Sequence, residues 1–264
     1  MSDYIRVETD SRGVATVTLN RPEMHNAFDE VLIGELTEKL HVVDDDAAVR
    51  VVVLAAAGKS FSAGADLTWM ARMARYSEQQ NRADAMDLAR LMRTLNHLRK
   101  PTIARVQGAA FGGGVGLVAC CDMAVAAREA QFALSEVRLG LIPAVISPYV
   151  IQAIGARAAR RYFLTAERFA ADEAQRLGLV SEVAAADELD AAIGRLVAHL
   201  LLGGPQAIKA CKDLITAVAD RPIDNAVIGD TAMRIAQQRA CAEGKEGVAA
   251  FLEKRAPAWV ATDK

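Results

Sequence analysis

Apolar and polar residues follow three successive patterns over the first part of the chain. Positions 4–8 and 14–19 alternate apolar with polar residues on either side of a short polar turn, which predicts a β-hairpin. Apolar residues then recur at helical spacing over positions 29–43, where Asp29 is placed to act as the N-cap. A continuous apolar run over positions 49–55 is typical of a strand buried on both faces. This opening predicts an α/β protein.

The order of helix followed by buried strand returns twice along the chain. An amphipathic segment over positions 78–98 leads to a strand over 101–106. A glycine cluster and a short apolar helix then lead to a strand over 123–126. Repeated units of this kind predict parallel strands joined by right-handed crossovers.

Helical patterns dominate after about Pro143, apart from a strand-like segment over positions 179–183. A break at Gly203, Gly204 and Pro205 marks the start of the last helices. We therefore predict a core over residues 1–199 and a helical C-terminal oligomerisation region over residues 200–264.

Composition narrows the class of protein. The chain has 264 residues, of which 52% are hydrophobic and 24% charged, so it can bury a full core. Its net charge of -2 provides no basic field for nucleic acid or an anionic membrane, which favours a small-molecule partner. The N-terminus lacks the pattern of a signal peptide, no uncharged stretch is long enough to span a bilayer, and neither the cysteines nor the histidines have metal-ligand spacing. We expect a cytoplasmic protein without a metal.

Two glycine-bearing loops, at positions 61–67 and 108–114, are the candidate chemistry. Each follows a buried strand and precedes a helix, and glycine lets a ligand approach the backbone closely. A single cluster of this kind is more often a simple turn. Two such loops can direct backbone amides at one oxygen, which is the arrangement of an oxyanion hole. The dinucleotide-binding spacing is excluded because Leu117 stands where a glycine is required.

Several short stretches, in the same order, resemble the crotonase family, also called the enoyl-CoA hydratase/isomerase family. They are NRPE at 20–23, NAF at 26–28, FSAGADL at 61–67, GAAFGGG at 108–114, CD at 121–122, FALSEV at 132–137, EG at 246–247 and FLEKR at 251–255. The resemblance implies a crotonase-like core of repeated ββα units with a helical C-terminal region. It also implies an acyl-CoA thioester as substrate, no separate cofactor, and assembly into a homotrimer or a dimer of trimers.

Catalytic and binding residues follow from the same resemblance. The implied catalytic groups are the Glu136 carboxylate and the backbone amides of Ala65 and Gly113, which would form the oxyanion hole. The implied substrate-binding residues are Met24, Ala27, Ala63, Asp66, Phe251 and Lys254, of which the last two would come from a neighbouring subunit.

Gly116 departs from the family pattern, because typical hydratases carry the first of two catalytic glutamates at this position. We expect the space beside Gly116 to hold water, a branch of the substrate or another polar side chain. A bulky apolar residue there would favour isomerisation over hydration. Glu136 itself lies in an apolar segment, so we expect burial to raise its pKa.

The resemblance favours an enoyl-CoA hydratase, a hydro-lyase that adds water reversibly to an α,β-unsaturated acyl-CoA in fatty acid metabolism. A branched or carboxylated substrate, such as 3-methylglutaconyl-CoA of leucine degradation, fits the pattern best. Two alternatives stay open. One is an enoyl-CoA isomerase that uses Glu136 as its sole proton shuttle, and the other is a non-catalytic protein that binds acyl-CoA.

Overall fold

Ten strands in two sheets form the core of the chain, which a computed structural model describes over residues 3–260. The strands are β1 Ile5–Thr9, β2 Val14–Leu19, β3 Val51–Ala56, β4 Ser60–Ala63, β5 Thr102–Val106, β6 Ala109–Phe111, β7 Met123–Ala127, β8 Gln131–Ala133, β9 Phe169–Ala170 and β10 Glu182–Ala184. The helices are α1 Glu30–Asp45, α2 Leu67–Met73, α3 Glu78–Asn96, α4 Gly113–Cys120, α5 Ser147–Thr165, α6 Ala171–Leu177, α7 Leu189–Leu202, α8 Pro205–Val218, α9 Asn225–Ala240 and α10 Ala242–Glu253.

The larger sheet has the strand order β1-β2-β3-β5-β7-β10. Strands β1 and β2 form the predicted antiparallel hairpin, and the other pairs are parallel. Strand β3 is buried along its whole length, as its continuous apolar run predicts. The repeated order of helix and strand therefore gives the parallel α/β core that the sequence predicts. Strand β10 covers 182–184, so the strand-like segment over 179–183 pairs only at its end.

Helices α1 and α3 pack against each other beside the larger sheet. The Asp29 side chain caps α1 by accepting a hydrogen bond from the Leu32 amide at 2.8 Å, as predicted. Helix α3 starts with a capping box in which the side chains of Ser77 and Gln80 and their backbone amides satisfy one another. Both helices thus have local start signals that the sequence already contains.

The smaller sheet, of order β4-β6-β8-β9, is the part of the fold that positions the candidate site. Strands β4, β6 and β8 are parallel, and β9 pairs with β8 in the antiparallel direction. In the register of these strands Ala63 pairs with Phe111, and Phe111 pairs with Ala133. The strands are two to four residues long, and the hydrophobic pattern does not predict this sheet.

Helix α7 packs on the larger sheet, whereas α8, α9 and α10 lie beyond it and pack against one another. The side chain of Arg50, next to β3, connects the two parts by donating hydrogen bonds to the carbonyls of Gly203 at 2.9 Å, Trp259 at 3.1 Å and Leu201 at 3.5 Å. Several large apolar residues of this region are exposed, including Ile223 at 87% and Phe251 at 83%. The boundary at residue 200 stays a prediction.

Within residues 3–260, no single helix is both long enough and apolar enough to cross a membrane. Residues 186–202 and 205–218 meet that criterion only when they are combined, and the two helices are bent by 104° at the break between them.

Replacing Arg50 by methionine should loosen the C-terminal helices. The change keeps an apolar stem but removes the charged donor from three carbonyls, so we expect a loss of about 1–3 kcal/mol in the free energy of unfolding. Urea denaturation at a fixed protein concentration measures the loss, and hydrogen exchange should locate the lost protection in residues 203–260. Arg195→Met removes an exposed ion pair with Glu182 and is the control, with an expected change below about 1 kcal/mol. Equal effects of the two variants would contradict the role given to Arg50.

Candidate active site

Three loops leave the smaller sheet at one edge. Strands β4, β6 and β8 are parallel neighbours in register, so the residues that follow Ala63, Phe111 and Ala133 emerge side by side. These are the AGAD loop, the glycine triplet and the segment that contains Glu136. The carboxyl ends of parallel strands are the usual place for ligands in α/β folds. The fold therefore brings the three motifs singled out in the sequence to one edge.

The backbone of Gly64 and Gly112 requires glycine at both positions. Gly64 has a φ of +97° and Gly112 a φ of +51°, and residues other than glycine rarely adopt positive φ values of this kind. A Cβ on Gly112 would also lie 3.1 Å from the Glu136 Oε1 atom and 4.0 Å from the Gly64 Cα atom. The amide of Gly112 donates to the carbonyl of Ala133 at 2.9 Å, which joins the second loop to the third. The three loops are thus in mutual contact.

The Ala65 amide has no hydrogen-bond acceptor among residues 3–260, because the backbone bonds of its β-bridge are made by the neighbouring residues. Phe28 and Ala65 form an isolated parallel bridge, in which the Phe28 amide donates to the Gly64 carbonyl and the Asp66 amide donates to the Phe28 carbonyl, both at 2.8 Å. In a parallel bridge these bonds use the groups on either side of the central residue, so the N–H of Ala65 points away from Phe28. No group in residues 3–260 accepts a hydrogen bond from this amide.

The Gly113 amide is free for a different reason. Gly113 is the first residue of α4, and amides in the first turn of a helix have no acceptor within the helix. The amides of Val115 and Gly116 both donate to the Gly112 carbonyl, whereas none of the described residues accepts from Gly113. A Cβ on Gly113 would lie 3.1 Å from the Phe28 ring, so this ring packs directly against the glycine. Phe28 therefore supports both loops, one with its backbone and one with its ring.

Glu136 begins the short 3-10 helix Glu136–Leu139, which Gly140 caps, and the Glu136 carbonyl accepts from the Leu141 amide at 3.0 Å. Its side chain is half-buried, and the buried Oε2 atom has no hydrogen-bond partner among residues 3–260. Burial raises the pKa of Glu136, and a hydrogen bond from its own backbone amide offsets this only in part. The sequence-based expectation of a raised pKa is confirmed. A proton acceptor of increased basicity therefore lies beside the glycine triplet.

The expectation for Gly116 is wrong. A Cβ on this residue would overlap the Cγ2 atom of Ile146 and would lie 2.9 Å from its Cβ and 3.2 Å from the Cε of Met92. Ile146 is 3% exposed, so a bulky apolar side chain, and not water or a polar group, fills the place where a first glutamate would stand. The reason is that Gly116 faces Met92 of α3 and Ile146, the residue directly before α5, whose apolar side chains close over it.

The proposed binding residues near the N-terminus lie next to the AGAD loop. Met24 and Ala27 belong to the turn before Phe28, and the carbonyl of His25 in that turn accepts from the Ala63 amide at 3.0 Å. Met24 is 39% exposed, whereas Ala27 is buried. The structure brings these residues together with Ala63 and Asp66, while their contact with coenzyme A stays a prediction.

Asp66 is buried and already engaged within the protein. One oxygen caps α2 by accepting from the amides of Thr68 and Trp69 at 2.8 and 3.1 Å, and the other accepts from Arg21 at 3.3 Å. Burial alone would raise the pKa of Asp66, but the bonds from Trp69, Thr68 and Arg21 outweigh it and hold the pKa below its ordinary value. The carboxylate therefore orders the loop around Ala65 as a fixed anion.

Phe251 and Lys254 lie at the end of α10, which packs against α8 and α9. Phe251 is 83% exposed and Lys254 is exposed and adopts a left-handed conformation with a φ of +56°. Their role depends on a neighbouring subunit and stays a prediction. Among residues 3–260 no group of three or more histidine, cysteine, aspartate or glutamate side chains is arranged to hold a metal ion.

Sequence reasoning missed three residues that shape the site. Phe28 lies within the NAF motif, but only its contacts show that it supports Ala65 and Gly113. Ile146 belongs to no motif, and its role could not be inferred from the sequence because it comes from packing against Gly116, which is distant in the chain. Arg21 belongs to the NRPE motif, and its burial between two aspartates gives it a role that the motif does not explain.

The chain is similar to known proteins along almost its whole length. The family model of enoyl-CoA hydratase/isomerase matches residues 9–262 of the chain. A crystal structure of an enoyl-CoA hydratase from Shewanella pealeana is 48% identical, covers 97% of this chain and 96% of its own, and has a TM-score of 0.94. AtuE from Pseudomonas aeruginosa is 38% identical, covers 98% and 100% of the two chains, and has a TM-score of 0.93. The crotonyl-CoA hydratase of Syntrophomonas wolfei is 33% identical over 244 residues, which are 92% of each chain.

The chain belongs to the enoyl-CoA hydratase/isomerase family. The match along nearly the whole chain and the similarity of the fold confirm both the family resemblance and the α/β fold class predicted from the sequence.

The packing at Gly116 predicts an unusual response to alanine. Gly116→Ala should lower the free energy of unfolding by about 1–3 kcal/mol because the new methyl group overpacks against Ile146. Gly194→Ala, in α7, is the matched control, since nothing lies within 4 Å of its added Cβ, and it should raise stability by about 0.5–1 kcal/mol. Ile146→Ala in the Gly116→Ala background should cost less than in the wild type. Purely additive effects in denaturant titrations would show that the two residues do not compete for this space.

Burial of Glu136 predicts that Glu136→Gln stabilises the protein at neutral pH. Because the pKa of Glu136 is raised in the folded state, the folded protein keeps this proton at pH values where the unfolded chain has lost it. The stability that this group contributes therefore falls as pH rises from the unfolded-state pKa through the folded-state pKa. The advantage of glutamine should grow as pH rises above about 4 and should disappear below about pH 4, where the carboxyl is protonated in both states. Denaturant titrations across this range measure the effect. Glu129→Gln, at an exposed position, should stay within about 0.5 kcal/mol of the wild type at pH 7, and a similar gain in both variants would refute the assignment.

Proposed function

We propose that this chain adds water reversibly across the α,β double bond of an enoyl-CoA thioester. The observation that carries the proposal is a buried, unpaired carboxylate oxygen of Glu136 at the strand edge where the amides of Ala65 and Gly113 have no acceptor within residues 3–260. The relative from Syntrophomonas wolfei is a crotonyl-CoA hydratase, which supports this reaction class.

The two amides supply an oxyanion hole in this proposal. When water attacks Cβ, the electrons of the double bond move toward Cα and the thioester carbonyl, so negative charge develops on the carbonyl oxygen. The N–H groups of Ala65 and Gly113 stabilise this charge without reorganisation, because the β-bridge and the start of α4 already fix them. Loss of one such donor typically costs about 10²- to 10³-fold in rate.

Glu136 manages the proton. It accepts a proton from the attacking water as the C–O bond forms at Cβ, and it then gives a proton to Cα as the enolate collapses, so that H and OH are added in total. Its raised pKa suits both steps, because a carboxyl with a pKa closer to neutral pH is a stronger base when ionised and remains a competent acid when protonated. General acid–base catalysis of this kind contributes about 10² to 10⁴ in rate.

A branched or carboxylated acyl group is the proposed substrate class, with 3-methylglutaconyl-CoA of leucine degradation as the example. The support is the resemblance of the segments FGGGVGL at 111–117 and ALSEVRLGL at 133–141 to hydratases of that type. A panel of crotonyl-, 3-methylcrotonyl-, glutaconyl- and 3-methylglutaconyl-CoA, compared by kcat/KM, decides between these acyl groups.

Isomerisation is the second candidate, and the packing at Gly116 favours it. Because Ile146 fills the space of a first glutamate, Glu136 has no second carboxylate opposite it on α4 to orient a water molecule. An isomerase needs only one carboxylate, which removes a proton from one carbon of the enoyl-CoA to form a dienolate and returns the proton to another carbon. The same two amides would stabilise the intermediate.

Assembly into a homotrimer or a dimer of trimers is part of the proposal. The exposed apolar residues of the C-terminal region, such as Ile223 between α8 and α9 and Phe251 and Leu252 in α10, offer a surface that association would bury. In such an assembly Phe251 and Lys254 would reach the coenzyme A site of a neighbouring subunit.

Substitution of Glu136 by glutamine separates the candidate functions. The wild type should incorporate oxygen from ¹⁸O-labelled water at Cβ of an enoyl-CoA, and Glu136→Gln should lose about 10²-fold or more of that rate while it still binds acyl-CoA. Mass spectrometry of the product measures the label, and isothermal titration measures binding. Glu129→Gln, on the exposed surface before β8, is the control and should keep the wild-type rate.

The outcomes differ for each candidate. A wild type that moves the double bond or exchanges carbon-bound hydrogen with deuterated solvent, but never fixes labelled oxygen, is an isomerase. A protein that binds acyl-CoA and performs neither reaction is a binding protein. Hydration that survives in Glu136→Gln would remove Glu136 from the mechanism.

A further inference from the structure

Arg21 is a buried arginine that lies between two buried aspartates. Its guanidinium donates to the Asp29 carboxylate at 2.7 Å and to the Asp66 carboxylate at 3.3 Å, and its side chain is 8% exposed. It also donates to the carbonyl of Ala27 at 3.2 Å and lies 4.4 Å from the centre of the Tyr4 ring. Burying three charges is costly unless they are paired in good geometry, so their retention calls for an explanation beyond stability.

Both aspartates cap helices at the site. Asp29 accepts from the Leu32 amide at the start of α1, and Asp66 accepts from the Thr68 and Trp69 amides at the start of α2. Arg21 therefore joins the beginnings of two helices, α1 and α2, whose first residues are 37 positions apart in the chain.

The positions of the two aspartates show what Arg21 holds together. Asp29 directly follows Phe28, and Asp66 directly follows Ala65, and Phe28 and Ala65 are the two partners of the isolated β-bridge. That bridge contains only two backbone hydrogen bonds, from Phe28 to Gly64 and from Asp66 to Phe28. The ionic contacts of Arg21 thus join the two paired segments one residue after the bridge, at the same end of it.

We propose that Arg21 is a positioning residue that holds the Ala65 amide in the direction required for the oxyanion hole. The guanidinium draws the Asp66 carboxylate toward Asp29, and the Asp66 backbone amide stays on the Phe28 carbonyl. As a result the peptide plane between Gly64 and Ala65 keeps its N–H turned away from Phe28. This inference rests on the proposed function, because it assigns the purpose of the Ala65 amide.

Arginine is suited to this task in a way that lysine is not. The planar guanidinium presents two separate N–H edges, and here its Nη1 and Nη2 atoms contact different carboxylates. A lysine ammonium is a single point on a flexible stem and cannot hold both aspartates in the same fixed arrangement. Arg21→Lys therefore keeps the charge and loses part of the geometry.

The proposal predicts an effect on kcat and on carbonyl polarisation rather than on binding. A misdirected amide weakens an interaction that is strongest in the transition state, so Arg21→Met should lower kcat for crotonyl-CoA by about tenfold to 10²-fold and leave KM within about threefold. Bound cinnamoyl-CoA provides the second readout, because its absorption band moves to longer wavelength when the thioester carbonyl is polarised. This shift should be present in the wild type, smaller in Arg21→Lys and smallest in Arg21→Met.

One further variant and a folding test complete the experiment. Arg99→Met is the matched control, because Arg99 also bridges two aspartates, Asp44 and Asp45, but on the exposed surface, and it should keep the wild-type kcat and the full shift. Arg21→Met leaves two buried carboxylates without their cation, so circular dichroism is recorded for every variant. If Arg21→Met does not fold, Arg21→Lys decides the question by the same two readouts.

Each result has one meaning. A reduced shift and a reduced kcat with nearly unchanged KM in a folded Arg21 variant supports the proposal. A full shift and wild-type kcat in that variant overturns it and leaves the proposed function intact. A wild type that neither hydrates crotonyl-CoA nor shifts the band of bound cinnamoyl-CoA overturns the proposed function, and the role of Arg21 with it.

Discussion

The parallel pairing of β4, β6 and β8 is the constraint on which the candidate site depends. Because Ala63, Phe111 and Ala133 share one row of the sheet, three segments that are distant in the chain end at the same height and turn toward one another. Each strand contributes only three or four residues, so the sheet is held as much by what packs on it as by its own hydrogen bonds. Phe28 and the start of α4 supply that packing around the two glycine loops.

The site concentrates arrangements that cost stability. A carboxylate oxygen of Glu136 is buried without a partner, two amides lack acceptors within residues 3–260, and two glycines adopt left-handed or similarly rare backbone conformations. Unpaired buried polar groups are rare in folded proteins, and where they occur together they usually mark a place that a ligand completes. In the charged cluster of Arg21, Asp29 and Asp66, by contrast, both carboxylates are paired with the guanidinium, and the Arg21 Nε atom alone in this cluster has no hydrogen-bond partner among residues 3–260. The two aspartates are thus paired within the protein, whereas the buried oxygen of Glu136 is not.

Much of the fold could be predicted from local signals. The cap at Asp29, the periodicity of α1 and α3, and the apolar run of β3 are each contained in one stretch of sequence, and the structure has them at nearly the expected bounds. The smaller sheet could not be predicted in this way, because strands of two to four residues show no periodicity and their pairing is decided by distant partners. The family motifs pointed to its loops, and the raised pKa of Glu136 followed from its apolar surroundings. The space beside Gly116 was predicted wrongly because it depends on Ile146, thirty positions further along.

The contact between Gly116 and Ile146 also constrains how this chain could gain a second carboxylate. A glutamate cannot appear at position 116 while Ile146 keeps its side chain, since even the first carbon of the new residue would overlap it. Nor does a smaller residue at position 146 gain anything on its own, because it leaves a cavity in the core. A second carboxylate at position 116 therefore requires both positions to change together, because each change alone is expected to lower the stability of the fold.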